Sequence, residues 1–254
     1  PDDTSQSIGA VYEYLVRKGT LSDVLSLPTP YLGREANENN SENKENLKDF
    51  KKIMSIYCKK NEFSYIQTNY IKSAAKLLID GKILGLIWGR EEFGARALGN
   101  RSIIANPSNM DVKKKINEMI KDRDFWMPFA ASILESHASK YLELDGNPRA
   151  YAFMTNTCNS TEIGKEKFRA AIHPYDETCR PHVVATGSNP KYEMLIKEFG
   201  DLSGTYGLLN TSLNLHGSPI CSTYNDAIHV MINSNLDGLL IDGALILKNG
   251  SFNY

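Results

Sequence analysis

The chain of 254 residues is predicted to fold as α+β (mixed α/β), a twisted mixed sheet with interspersed helices. Three observations carry this. Short apolar runs of strand length alternate with stretches of helical spacing, without a strict repeat. A hydrophobic content of 41% over this length is enough to bury a full core. The chain closes with two apolar runs, Gly238–Ile241 and Ala244–Leu247, turning on Asp242-Gly243, a strong hairpin signal.

The first element is a helix over Gln6–Lys18, with Ile8, Val11, Tyr12 and Leu15 on one face. Pro28 and Pro30 end regular structure. From Arg34 to Asn46 the chain is rich in Glu and Asn and has no large apolar residue, so it reads as an exposed linker. Helical spacing resumes at Leu47–Cys58 and Asn69–Leu78, and the apolar run Ile83–Trp88 reads as a strand. A helix is expected at Val112–Lys121, with strands near Phe129–Leu134 and Val183–Ala185. Then come a helix at Lys191–Phe199, a strand at Tyr206–Leu209 and a helix opened by the capping pattern Thr223-x-x-Asp226. Domain organisation is expected as residues 1–33, 34–62 and 63–254.

Charge excludes some classes of function. With 29 Lys and Arg against 30 Asp and Glu the net charge is −1, where a nucleic-acid surface would show a basic excess. No apolar run reaches membrane-spanning length, and a cytoplasmic setting is the default expectation. The four cysteines, Cys58, Cys158, Cys179 and Cys221, form no C-x-x-C pair and read as free thiols. Cys179 precedes Arg180, whose charge could lower a thiol pKa, although a small packing residue is the simpler reading. The five histidines show no metal-binding spacing, so no metal site is expected from this chain.

Positive charge is instead local. Gly89 to Ser102 places Arg90, Arg96 and Arg101 among three glycines in a turn that leaves the apolar run Ile83–Trp88. Glycine lets the backbone approach a ligand, and guanidinium forks match phosphate or carboxylate oxygens in paired hydrogen bonds. The segment is no Walker loop, because Ala95-Arg96 stands where Lys and Ser or Thr are required. A nucleotide would therefore have to be gripped by side chains.

Four segments in order, Glu92 to Ser102 (EFGARALGNRS), Ile120 to Ser132 (IKDRDFWMPFAAS), Thr178 to His182 (TCRPH) and Asn210 to Asn214 (NTSLN), resemble the C-terminal domain of the antibiotic and nodulation O-carbamoyltransferase family. The family wording is close to EFGPRALGNRS, IK-x-R-x-x-W-x-PFAPS, TARPQ and NTSFN, and the likeness runs from about Lys82 to Asp242. The opening residues Pro1 to Ala10 are similar to the last helix of the Kae1-like domain that precedes it in that family, with Asp3 at a metal-binding aspartate; a helix cap is the simpler role for Asp3 here.

The resemblance implies a YrdC/Sua5-like fold that uses ATP, with Mg²⁺, to activate carbamoyl phosphate as carbamoyl-adenylate. A Kae1-like domain upstream would be its partner and pass the carbamoyl group to a hydroxyl acceptor. Lys121, Arg180 and Ser212 would be catalytic, on the carbamoyl or phosphate oxygens. Arg96, Arg101, Arg123 and Asn210 would bind substrate or nucleotide, with Arg96 and Arg101 near the nucleotide phosphates or the floor of the site. A homodimer is compatible with the sequence. On residues alone, Lys121 also suits a helix-dipole partner, Arg180 a surface ion pair, and Asn210 to Ser212 a strand-exit turn. A nucleotide- or RNA-binding module and a structural lid are the other classes of function. Met127 stands where some relatives carry arginine, Ala95 replaces the usual proline, and His182 replaces glutamine, adding a titratable ring expected beside the anion.

Overall fold

The structure, a computed structural model, describes residues 5–20, 29–36, 63–121 and 127–248. The helical spacing at Leu47–Cys58 lies outside these, as do Asp3 and Arg123.

An eight-stranded mixed sheet organises the chain. Its strands are β1 (Phe63–Ile66), β2 (Leu84–Ile87), β3 (Arg101–Ala105), β4 (Ala130–Leu134), β8 (His182–Val184), β9 (Gly207–Ser212), β10 (Gly238–Ile241) and β11 (Ala244–Lys248). They lie in the order β1-β11-β10-β2-β3-β9-β4-β8. The pairs β10/β2 and β4/β8 are parallel and the rest antiparallel. Three short strands, β5 (Leu142–Glu143), β6 (Cys158–Ser160) and β7 (Thr178–Cys179), make a second, antiparallel sheet.

Both faces of the large sheet are covered, which is why β2 and β10 are buried at every position and read as continuous apolar runs. On one face pack α2 (Tyr70–Ile79) and α6 (Pro190–Ser203), which meet Leu84, Leu86, Ile104, Leu208 and Leu240. Ile71, Ala74, Ala75 and Leu78 supply the buried stripe of α2 at i, i+3, i+4 and i+7. Pro190 opens α6 at its first turn, Asn189 caps it by accepting from the Tyr192 amide, and Gly204 at φ 74° ends it. The other face carries α3 (Met110–Ile116) and α7 (Tyr224–Ile232), whose Val112, Ile116, Ala227 and Met231 pack with Ile87, Ile103 and Leu209. Strand alternation thus divides the core: Ile103 and Leu209 face one layer, Ile104 and Leu208 the other.

Several sequence expectations shift. The helix expected through Lys121 ends as an α-helix at Ile116 and continues as a π-helical turn, Asn117–Lys121. Strand β9 runs on to Ser212, so Asn210 to Ser212 belong to the sheet, where β3 pairs with them. The exposed linker expected from Arg34 does not begin there, since Ala36 is buried in the core and Glu35 bridges to Arg90. Helix α1 (Gln6–Arg17) buries none of its residues; Val11 and Tyr14 are more than half exposed.

Candidate functional site

The site grows from the loop between β2 and β3. Glu92 turns its carboxylate inward, and Oε1 accepts from the amides of Leu98 (2.7 Å), Asn100 (2.7 Å) and Arg101 (3.2 Å), fixing the curve of the loop. Burial nevertheless raises its carboxyl above the usual carboxylate range, against the pull of those amides. Asn189 Nδ2 donates to Asn100 Oδ1 at 2.8 Å, and Asn100 Nδ2 to the Arg90 carbonyl at 2.7 Å. Gly99 sits at φ 100°, where a Cβ would fall 2.3 Å from the Tyr192 ring. Only glycine lets the loop cross α6 so closely.

Held in this way, the loop delivers Ala95, Arg96 and Ala97 to the wall of a solvent-open cleft of about 100 Å³. Arg180 enters from the link between β7 and β8, while Asn210 and Ser212 enter from the end of β9. Pro128, Ala130 and Met154 complete the apolar side. Met154 has φ 55°, the left-handed region that a side chain of its length seldom adopts. No acidic side chain is among the described residues lining this cleft, and two guanidinium groups are. Such a cleft favours an anion.

Asn210 is 1% exposed, and its amide has one orientation. Nδ2 donates to the Ala97 carbonyl and to Ser132 Oγ, both at 2.9 Å. Because a carbonyl only accepts, the atom facing Ala97 must be the nitrogen. Asn210 therefore ties the arginine loop to the sheet as well as lining the cleft. Ser132 Oγ lies 3.0 Å from His182 Nδ1, which extends the chain of polar contacts into the interior. At the cleft edge Ser212 Oγ donates to Asn214 Oδ1 at 2.7 Å, and Asn214 holds the Leu215 and Ser218 carbonyls.

Of the expected site residues, Arg96, Arg180, Asn210 and Ser212 come together in this cleft. Arg101 does not. It is 0% exposed, and its guanidinium donates to the carbonyls of Trp88 and Asn100 through Nη1 and of Arg34, Gly89 and Ser222 through Nη2. Its place is a structural hub beneath the loop, so the expectation of Arg101 near the phosphates is corrected. The backbone of Lys121 closes the π-helical turn, but its side chain lies outside the described residues, with Arg123.

His182 also departs from expectation. It is buried on β8, and desolvation lowers its pKa to about 3, so at neutral pH the ring is uncharged and belongs to the core. Cys179 faces Cys158 across the small sheet. Burial pushes their thiols up to about 12 and about 11, more than Arg180 lowers the first of them, so neither is a reactive thiolate. The described residues contain no group of three His, Cys, Asp or Glu side chains placed to hold a metal. Ser132, Glu92 and Met154 escaped sequence reasoning. Glu92 and Ser132 left a signal, as the first residue of the EFGARALGNRS segment and the last of IKDRDFWMPFAAS.

Comparison with known proteins gives the family and the fold. The family model described as Carbamoyltransferase C-terminus matches residues 75–248. The uncharacterised protein MJ1058 of Methanocaldococcus jannaschii is 34% identical over 247 residues, 97% of this chain and 39% of that protein. Nodulation protein NolO of Bradyrhizobium diazoefficiens is 39% identical over 176 residues, 69% of this chain and 32% of its own length. The chain thus spans about two fifths or less of these relatives. Among solved structures, full-length HypF in its phosphate- and nucleotide-bound form superposes with a TM-score of 0.51 at 16% identity, over 70% of this chain and 22% of HypF. At that identity the likeness is one of fold.

Proposed function

Since this chain belongs to the Carbamoyltransferase C-terminus family, we propose that its arginine-lined cleft binds carbamoyl phosphate and activates the carbamoyl group with ATP. The observation that carries this is convergence. Arg96, Arg180, Asn210 and Ser212 come from three distant segments and line one cleft that shows no acidic side chain among its described residues.

The reaction proposed has two balanced parts. Water releases phosphate from carbamoyl phosphate, leaving carbamate; a carbamate oxygen then attacks the α-phosphorus of ATP, the bond to the β-phosphate oxygen breaks, and pyrophosphate leaves with carbamoyl-adenylate formed. Reactants that are all anionic repel one another. Arg180 and Arg96 offset that repulsion and hold the oxygens in line, and the Ser212 hydroxyl, turned from Asn214 to the anion on binding, adds a short donor. One well-placed donor to developing charge contributes on the order of 10²–10³ in rate. Lys121, next to this site in the motif order, would add a further cation. Mg²⁺ fits as a companion of the nucleotide phosphates, since the described residues offer no carboxylate cage for it. Transfer to a hydroxyl acceptor would fall to the rest of a longer protein, with a Kae1-like domain as its seat.

The test is a coupled pyrophosphate assay on the folded chain with ATP, Mg²⁺ and carbamoyl phosphate. Pyrophosphate release that needs carbamoyl phosphate and is lost in Arg180→Ala is expected. Release no greater than in the absence of carbamoyl phosphate, from a sample that is folded, would count against the activating role.

A further inference from the structure

Residues Thr29 to Ala36 lie outside the matched family domain, yet they pair with the start of the loop that carries Arg96 to its cleft. They run antiparallel to the start of the arginine loop. Gly33 donates its amide to the Glu91 carbonyl (3.0 Å), Glu91 to Arg34 (2.8 Å), Phe93 to Pro30 (2.7 Å) and Ala36 to Gly89 (3.0 Å). Arg90 donates to the Gly33 and Leu32 carbonyls at 2.9 and 2.7 Å. Arg101, the hub under the loop, reaches the Arg34 carbonyl at 3.2 Å. The approach is so close that a Cβ on Gly33 would lie 2.6 Å from Glu91 Cβ.

Tyr31 is the point where this segment meets the site. Its ring packs on the cluster of Leu98, Ala130 and Met154, two of which line the cleft. Its hydroxyl donates to the Leu98 carbonyl at 2.8 Å, two residues from Arg96, and accepts from Asn189 Nδ2 at 3.0 Å. The same nitrogen holds Asn100, so one residue clamps both ends of the loop's final turn.

We propose that Thr29 to Ala36 is a strap that sets the position of Arg96, with Tyr31 as its positioning residue, so that strap docking and anion binding are coupled. This rests on the anion-binding reading of the cleft. Glu92 and Asn210 hold the far end of the loop at Ala97 and Leu98, and the strap holds its start at Gly89, Glu91 and Phe93, so Arg96 between them keeps one position only while the strap is docked. Thermodynamic reciprocity then fixes the relation. Whatever factor the docked strap adds to anion affinity, bound anion must add to the docking equilibrium.

The experiment titrates carbamoyl phosphate, and inorganic phosphate alongside it, into the full chain by calorimetry, and follows amide exchange at Gly33, Glu91 and Phe93 with and without saturating ligand. In Gly33→Ala the strap is pushed off Glu91, and affinity is expected to fall about tenfold, within the 5- to 150-fold span usual for such coupling. Tyr31→Phe keeps the ring and loses one hydrogen-bonding hydroxyl; a loss of about two- to tenfold is expected. In the unsubstituted chain bound carbamoyl phosphate is expected to slow exchange at these three amides by the same factor that Gly33→Ala costs in affinity. A merely structural strap would leave the exchange independent of ligand. Binding with unchanged exchange, or affinity in both variants equal to that of the unsubstituted chain, would overturn the coupling and leave the cleft assignment standing. If neither anion binds the unsubstituted chain, the cleft assignment falls, and the inference with it.

Discussion

Arg96, Arg180 and Arg101 are alike in chemistry but differ in what surrounds them, and substituting two of them separates a binding role from a folding one. Arg180 lines the open cleft and is partly exposed. If it holds the anion as proposed, removing its side chain deletes a charge-assisted hydrogen bond worth about 1.5–3 kcal/mol. At about 1.4 kcal/mol per decade, Arg180→Ala is expected to weaken carbamoyl phosphate binding by roughly 10- to 100-fold. Arg101 makes five hydrogen bonds to main-chain carbonyls and is fully buried. Those bonds are not additive, and breaking a buried charged network of this kind costs about 3–5 kcal/mol. For a chain of this size each kcal/mol shifts the melting temperature by about 2–4 °C, so Arg101→Ala is expected to melt roughly 6–20 °C lower. Calorimetric titration and thermal unfolding of both variants give a two-by-two comparison. Arg180→Ala should lose affinity at nearly unchanged melting temperature, and Arg101→Ala should lose stability first. The assignment is refuted if Arg180→Ala binds as the unsubstituted chain does, or if Arg101→Ala melts normally and fails to bind.

His182 gives a pH prediction with a definite sign. Its folded pKa of about 3 lies below the unfolded reference of ~6.5, so between these values the unfolded state carries the extra proton and stability rises with pH. The contribution is fully present above ~6.5 and is lost as pH falls from there toward about 3. His182→Gln should therefore flatten the fall in denaturant midpoint between pH 7 and pH 5, by roughly 1–2 kcal/mol over that interval, while the pH profile of anion affinity stays the same; an unchanged stability slope would put the ring in solvent. Gly99→Ala combines positive-φ strain with a Cβ 2.3 Å from the Tyr192 ring, and a loss of about 2–5 kcal/mol is expected. Urea unfolding with a midpoint equal to that of the parent chain would show that the loop can move away from α6.

Local chemistry was legible wherever one segment decides its own structure. The i, i+3, i+4, i+7 stripe of α2, the Asn189-Pro190 start of α6 and the Asp242-Gly243 turn need no distant partner to be recognised, because capping, turn geometry and periodicity act within a few residues. The order of four motif segments named the family for the same reason: it is written in the chain. What the segments do in space was settled elsewhere. Arg96 and Arg101 stand five apart in one motif, yet one lines the cleft while the other is enclosed by carbonyls from Arg34 and Ser222, residues far away in sequence. Arg180 and His182 flank a single proline, and the pairing of β8 with β4 alone decides that the ring goes to Ser132 in the core while the guanidinium stays at the cleft. The strap from Thr29 to Ala36 offered no sequence signal at all, since it has neither periodicity nor a motif and gains its structure from the loop it pairs with and the distant residues it packs on. Sequence thus determined the elements and the chemical groups. Which of those groups line the cleft was decided by burial and long-range pairing, whose energies belong to contacts between segments and are absent from any one of them.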